Sequence, residues 1–144
     1  MAVTQEEARR AQMKRVAEAY FEGMGKKDMS QVPWDDQVVL RSPLAPGGLD
    51  TPLLGRAAVL AWFASLYPVL GDMHVIEHYF NEDLTVIASR SDVGITNPPC
   101  TLRVVDRFTV NAEGKITQQE NHYDPRPALP PSAPEENTAA RRRA

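Results

Sequence analysis

The side chains of this sequence that could do acid–base chemistry are concentrated in its second half. Arg90 and Asp92 are two residues apart, and Asp106 lies in the middle of an otherwise apolar alternation. A carboxylate on an apolar face is unfavourable unless it is paired or hydrogen-bonded. Burial there raises the pKa of a carboxyl group, which makes a general acid or base that works near neutral pH. We therefore predict that Asp92 and Asp106 transfer protons and that Arg90 is their electrostatic partner.

The direction of these side chains follows from the period of two in a β-strand. Within 100–111 the more apolar face contains Asp106, so we expect that face to point inward. Within 84–95 we place Arg90 and Asp92 on the inward face as well, together with Leu84, Val86 and Ala88. Arg90 then pairs with Asp92 or with Asp106. The pair is either a structural ion pair or a cation that holds an acid in a pocket, and the sequence leaves both open.

Two helices and five strands must position these residues. Thr4 and Glu7 have capping-box spacing ahead of an apolar stripe, which predicts a helix from 4 to about 27. Gly55 precedes a second helix at about 56–67. Strands are predicted at about 36–42, 72–81, 84–95, 100–111 and 115–124. Because short links join the last four, they run antiparallel, and helices on one face of such a sheet make an α+β fold.

Composition favours one domain without nucleic-acid or membrane partners. The 144 residues are 42% hydrophobic and 24% charged, and the net charge is −3. The single cysteine, Cys100, excludes an internal disulfide. No apolar run indicates a signal peptide or a membrane helix, so we expect a cytoplasmic protein. We assign 1–126 to the domain and 127–144 to a proline-rich, disordered tail.

Three local patterns stand out between about 8 and 126: Ser42-Pro43 followed later by Gly55-Arg56, Val105-Asp106-Arg107-Phe108 followed by Glu113-Gly114-Lys115-Ile116, and a final Asn121-His122-Tyr123-Asp124. Together they resemble the nuclear-transport-factor-2-like (NTF2-like) superfamily and its SnoaL-like domains. The resemblance implies a cone-shaped fold in which a curved antiparallel sheet and its helices enclose a largely apolar pocket. It also implies a homodimer, and it favours a pocket-facing orientation for Asn121 and Tyr123.

Arg90-Ser91-Asp92 is similar to the Arg-x-Asp of limonene-epoxide-hydrolase-like enzymes, whose aspartate is a general acid. In that comparison Asn121 stands where the enzymes carry the base aspartate, and the two water-holding positions fall on Val39 and Arg41. An amide is no base at neutral pH.

Two other enzyme groups with this fold make different demands on the chain. Ketosteroid isomerases carry their base where this chain has Ser42, and Tyr20 is either the counterpart of their oxyanion-hole tyrosine or a core residue. SnoaL-like polyketide cyclases need one pocket carboxylate, a role that Asp92 or Asp106 can fill, with Arg90 or Arg41 stabilising an enolate.

We therefore expect an enzyme that performs acid–base chemistry on a small, largely apolar molecule, without a metal or other cofactor. The reaction would be a cyclisation, an isomerisation or an epoxide opening, and the alternative is a non-catalytic binding module. His74 and His78, predicted to share one strand face, would be about 13 Å apart, too far to bind one metal. The predicted substrate-binding residues are Arg41, Asn121, Tyr123, Val39, Trp62 and Phe63.

Overall fold

The two helices form where the capping and termination signals predict them. A computed structural model describes residues 2–129 of the chain. Helix α1, Gln5–Lys26, begins with the capping box: the Thr4 hydroxyl accepts from the Glu7 amide at 3.0 Å, and the Glu7 carboxylate accepts from the Thr4 amide. Helix α2, Arg56–Leu66, follows Gly55, whose φ of 90° is a conformation that favours glycine. None of the helices within 2–129 is long and apolar enough to cross a membrane.

Six strands form one sheet in the order β2-β1-β6-β5-β4-β3. The five predicted strands are present with ends that differ by up to two residues, and the short β2 was not predicted. The strands are β1 Trp34–Arg41, β2 Leu53–Leu54, β3 Leu70–Phe80, β4 Val86–Thr96, β5 Pro99–Val110 and β6 Ile116–His122.

The α+β fold class is confirmed, but the sheet is mixed rather than wholly antiparallel. Strand β1 pairs in parallel with β6, and every other neighbouring pair is antiparallel. Short hairpins force β3 to β6 to alternate in direction. The chain between β1 and β6 contains α2 and four strands, so no hairpin constrains this pair. Both helices pack on the curved sheet, and the tail predicted for 127–144 lies outside the described residues from 130 onward.

Aromatic side chains join the helices to the inner face of the sheet. The ring of Tyr20 on α1 meets Phe63 on α2 and Phe108 on β5 edge to face, with centroids 5.7 and 5.1 Å apart. Trp34 on β1 stacks on Phe63 at 5.4 Å. Such pairs add about 1 kcal/mol each to the burial of the rings. They fix α1 and α2 over the sheet, and thereby fix the walls of any pocket between them.

Arg9 fastens the start of α1 to the turns at one end of the sheet. Its guanidinium donates to the carbonyls of Leu84, Val110 and Asn111 at 2.7 to 3.0 Å.

We expect Arg9→Met to lower the free energy of unfolding by about 3 kcal/mol, because three carbonyls lose a charged donor. Urea denaturation measures this. The matched change Arg15→Met, at an exposed position of the same helix, should cost less than about 0.5 kcal/mol. Equal losses in the two variants would contradict the role given to Arg9.

Candidate functional site

Four polar side chains form a row across the inner face of the sheet. His78 on β3 lies directly opposite Ser89 on β4, Ser89 lies opposite Asp106 on β5, and Asp106 lies opposite Asn121 on β6. Side chains at such positions have Cβ atoms about 5 Å apart. An imidazole, a hydroxyl, a carboxyl and an amide therefore lie side by side on an otherwise largely apolar face. We call these four residues the polar row.

A β-bulge directs His78 into this row. Val75 lies opposite Ser91 and Glu77 lies opposite Arg90, so Ile76 is an extra residue on β3. The extra residue reverses the alternation, and His74 and His78 point to opposite faces. Their predicted placement on one face is therefore wrong. Only His78 joins the inner face, where its Nδ1 is 2.8 Å from Ser89 Oγ.

Asp106 is a carboxyl group in a buried, largely apolar environment. It is 2% exposed, and its Oδ1 has no hydrogen-bond partner within the described part of the chain. Burial raises the pKa of Asp106 to about 8. At neutral pH the side chain is consequently a carboxylic acid that can donate a proton or a hydrogen bond. This agrees with the prediction that the face of 100–111 containing Asp106 points inward.

A buried hydrogen-bond chain fixes the orientation of Asn121. The indole Nε1–H of Trp34 donates to Gln119 Oε1 at 2.9 Å, and Gln119 Nε2–H donates to Asn121 Oδ1 at 3.0 Å. Because an indole nitrogen is only a donor, each amide in the chain has one possible orientation. The oxygen of Asn121 is therefore engaged, and its N–H groups are the donors that it can present to a ligand.

Asp106 and Asn121 line a cavity between the helices and the sheet. Its volume is about 50 Å³, and its walls are almost entirely apolar. The predicted residues Trp62, Phe63 and Tyr123 also line it, so the structure brings together five of the nine predicted site residues around one space.

Two tyrosines complete the polar part of the cavity wall. Tyr20 is buried, and its pKa is raised by burial first and by the nearby Asp106 second, so it remains a neutral phenol. The Tyr123 hydroxyl is 2.9 Å from Ser42 Oγ and accepts from the Leu44 amide at 3.3 Å. Burial also raises the pKa of Tyr123. Ser42 is thus a buried partner of a phenol, and it provides no base at the position where the isomerase comparison requires one.

Arg90 and Asp92 do not face this cavity, which corrects their predicted placement. They lie on the outer face of β4, while Ile87, Ser89, Ser91 and Val93 point inward. The two charges pair with each other, with Arg90 Nη1 2.9 Å from Asp92 Oδ1, and Arg90 does not reach Asp106. The prediction was misled by Leu84, which is buried but lies in a turn before the strand with φ of 56°. Its burial says nothing about the alternation that begins at Val86.

Val39 and Arg41 also lie outside the cavity. On β1 the buried side chains are Val38 and Leu40, so the residues between and after them point to the opposite face. Arg41 Nη1 donates to the carbonyls of Leu49 and Asp50, at 2.8 and 3.3 Å, and thereby holds the loop before β2. The structure therefore does not bring Val39 and Arg41 to the wall of this cavity.

Sequence reasoning missed Ser89 and Gln119, both of which support the site. Ser89 follows from the register of β4, which the sequence argument inverted. Gln119 lies on the odd-numbered face of β6, which the family resemblance favoured, but nothing in its sequence context marks it as buried. Within residues 2–129 no group of three or more His, Cys, Asp and Glu side chains is placed to hold a metal ion.

Comparison with solved structures supports the same architecture. A steroid delta-isomerase from Pseudomonas aeruginosa is 18% identical with a TM-score of 0.64, over 80% of this chain and 81% of the isomerase. An epoxide hydrolase/cyclase-like enzyme of pyran ring formation in the polyether salinomycin is 17% identical with a TM-score of 0.67, over 80% and 92%. An NTF2-like protein from Burkholderia pseudomallei is 18% identical with a TM-score of 0.62, over 78% and 91%. At these identities the similarity shows the fold alone.

Family membership rests on the sequence itself. A comparison with curated proteins finds no match. The model of the SnoaL-like domain family matches residues 17–119, which include the second half of α1, all of α2, strands β1 to β5 and the start of β6. The match extends over more than half of the chain, and the six-stranded sheet with two packed helices agrees with it. The chain therefore belongs to the family of SnoaL-like domains, within the NTF2-like superfamily.

Proposed function

We propose that this protein is an enzyme that performs cofactor-independent acid–base chemistry on a small, largely apolar molecule. The observation that carries the proposal is the environment of Asp106: a buried carboxylic acid, unpartnered at Oδ1, on the wall of an apolar cavity beside an oriented amide. Holding a carboxyl group in this state costs stability. Proteins accept such a cost mainly where the perturbed group has a function.

The substrate class follows from the donors around the cavity. Protonated Asp106 offers an O–H, and Asn121 offers its N–H groups, so the complementary ligand atom is an oxygen that accepts hydrogen bonds. Of the residues that line the cavity within 2–129, none is Lys, Arg or His, so an anionic ligand would have no counter-ion. A ketone, an ester or an epoxide on a hydrocarbon frame meets these requirements.

Asp106 can serve both halves of a proton transfer. As an acid it protonates the ligand oxygen, or donates a strong hydrogen bond to it, while Asn121 stabilises the negative charge that develops there. The resulting carboxylate then accepts a proton from the attacking hydroxyl or from the adjacent carbon, which restores the acid. Ring closure, isomerisation next to a carbonyl and epoxide opening all need this exchange. Two proteins with similar folds are named for reactions of this kind: one is a steroid delta-isomerase and the other an epoxide hydrolase/cyclase-like enzyme.

A panel of small ketones and epoxides tests the proposal. The compounds are incubated with the protein in deuterated or ¹⁸O-labelled water, and products are followed by NMR and mass spectrometry. We expect turnover that falls by about 10²- to 10⁴-fold in Asp106→Asn, because the amide cannot exchange the proton. The matched control Asp92→Asn, on the outer face, should retain full activity. Turnover that survives Asp106→Asn would exclude Asp106 as the proton donor.

One observation favours a second candidate, a non-catalytic binding module. The two positions at which the compared enzymes carry a base have Ser42 and Asn121 here. Asp106 is the only carboxyl group among the described cavity residues, so no second carboxylate is present there to act as a base. A binding protein would use protonated Asp106 only as a hydrogen-bond donor. In that case panel compounds would bind, would be recovered unchanged after long incubation, and would bind less tightly to Asp106→Asn.

A further inference from the structure

The polar row continues beyond the cavity toward the edge of the sheet. His78 and Ser89 do not line the cavity, yet they extend the line of Asp106 and Asn121 across β4 to β3, which is the edge strand. Ser89 is fully buried, and its hydroxyl is 2.8 Å from His78 Nδ1. A half-buried histidine is thus joined by one hydroxyl to the strand position opposite Asp106.

The surroundings of His78 and Asp106 suit an exchange of protons. Lys14 and Glu18 of α1 are the charged groups that act on His78, and the ring of Phe21 lies 6.5 Å from its ring. Burial, followed by Lys14, lowers the pKa of His78, so the imidazole is neutral at neutral pH and can accept a proton. The titratable groups that act with Asp106 are Tyr20 and Tyr123, both of which remain neutral.

We propose that Asp106 exchanges its proton with solvent through the Ser89 hydroxyl and His78, at the edge of the sheet and not through the cavity. The inference rests on the proposed role of Asp106. It explains why a bulge in β3 directs one histidine inward, and why a buried serine separates that histidine from the carboxyl group. It also allows the carboxyl group to be reprotonated while a ligand fills the cavity.

The exchange is balanced in protons and needs no other reactant. Directly opposite Cβ atoms are about 5 Å apart, so rotation about χ1 of Asp106 brings a carboxyl oxygen within reach of Ser89 Oγ. Asp106 then gives its proton to Ser89 Oγ as Ser89 gives its own proton to His78 Nδ1. The result is a carboxylate and an imidazolium, and His78 releases a proton from Nε2 to water. The same steps in reverse reprotonate Asp106.

NMR titration of the full chain tests this inference without a substrate. The ring signals of His78 and the carboxyl carbon of Asp106 are followed from pH 4 to pH 10. We expect the His78 signals to show their own inflection and a second one near pH 8, the pKa of Asp106. The second inflection should disappear in Ser89→Ala and in Asp106→Asn. It should remain in Ser91→Ala, a matched change at a buried serine of the same strand face that makes no hydrogen bond to His78.

The outcomes separate this inference from the proposed function. A single inflection for His78 in the parent protein would overturn the path. A second inflection that survives Ser89→Ala would also overturn it, because that inflection would report electrostatic coupling through space alone. An Asp106 carboxyl that titrates near pH 4 would instead overturn the proposed acid. His78→Gln adds a kinetic readout: if the panel finds a substrate, turnover in the variant should fall and should recover with added imidazole. Turnover unchanged by His78→Gln would also overturn the path.

Discussion

Asp106→Asn is expected to remove most of the pH dependence of stability between pH 5 and pH 8. Burial raises the pKa of Asp106 to about 8 in the folded protein, whereas an aspartate in the unfolded chain titrates near pH 4. Between these values the folded protein keeps a proton that the unfolded chain releases. The free energy of unfolding therefore falls as the pH rises through this window, by up to about 5 kcal/mol in total. The contribution is fully present below pH 4 and is lost as the pH passes 8.

The difference between the parent and the variant isolates this effect. Urea unfolding of both proteins at pH 5 and at pH 8 gives four free energies of unfolding. The difference in free energy of unfolding, variant minus parent, should be several kcal/mol more positive at pH 8 than at pH 5. A constant cost from the buried amide cancels in this comparison, because it is the same at both values. Asp92→Asn is the control, and its difference from the parent should change far less. A difference for Asp106→Asn that is equal at both pH values would show that this carboxyl group is ionised in the folded protein.

The stability cost of Asp106 also bears on what the protein does. A hydrophobic side chain at this position would remove the unpartnered Oδ1 and complete the apolar wall formed by its neighbours Val104 and Phe108. The chain instead keeps a carboxyl group whose ionisation increasingly opposes folding as the pH rises toward 8. This opposition between stability and a perturbed pKa is typical of active sites.

Most of the fold could be predicted from the sequence because its signals are local. The capping box at Thr4 fixes the start of α1, and Gly55 fixes the start of α2. Compact turns between Phe80 and Ile116 fix the directions of β3 to β6. The parallel pairing of β1 with β6 and the two-residue strand β2 depend on contacts between distant segments. No local pattern indicates them.

The site was predicted less well because an alternation has no absolute phase. Displacement by a single residue reverses every side chain of a strand. The left-handed residue Leu84 caused this error in β4, and it moved Arg90 and Asp92 to the wrong face. The extra residue Ile76 reversed the alternation within β3, and the inward direction of His78 was therefore not predicted. Asp106 was placed correctly because its own strand has one clearly apolar face.

Gln119 is expected to control both the stability of the fold and the direction of the cavity donors. It is 1% exposed, and it links the Trp34 indole to the Asn121 amide. Gln119→Met preserves the approximate volume but leaves the Trp34 N–H and the Asn121 oxygen without partners. Each buried, unsatisfied group costs about 1 to 3 kcal/mol, so we expect a loss of about 3 kcal/mol in urea denaturation. The Asn121 amide would no longer be held in one orientation.

Gln118→Met provides a matched control, because Gln118 is the preceding residue and points to the exposed face of β6. It should change the free energy of unfolding by less than about 0.5 kcal/mol. The Trp34 indole N–H reports on the chain directly: its exchange with solvent should become faster in Gln119→Met than the loss of global stability predicts. If both variants unfold alike and the indole signal is unchanged, Asn121 is not held by this chain. The cavity would then accept ligand donors as readily as ligand acceptors, and the preference for ketones, esters and epoxides would lose its structural basis.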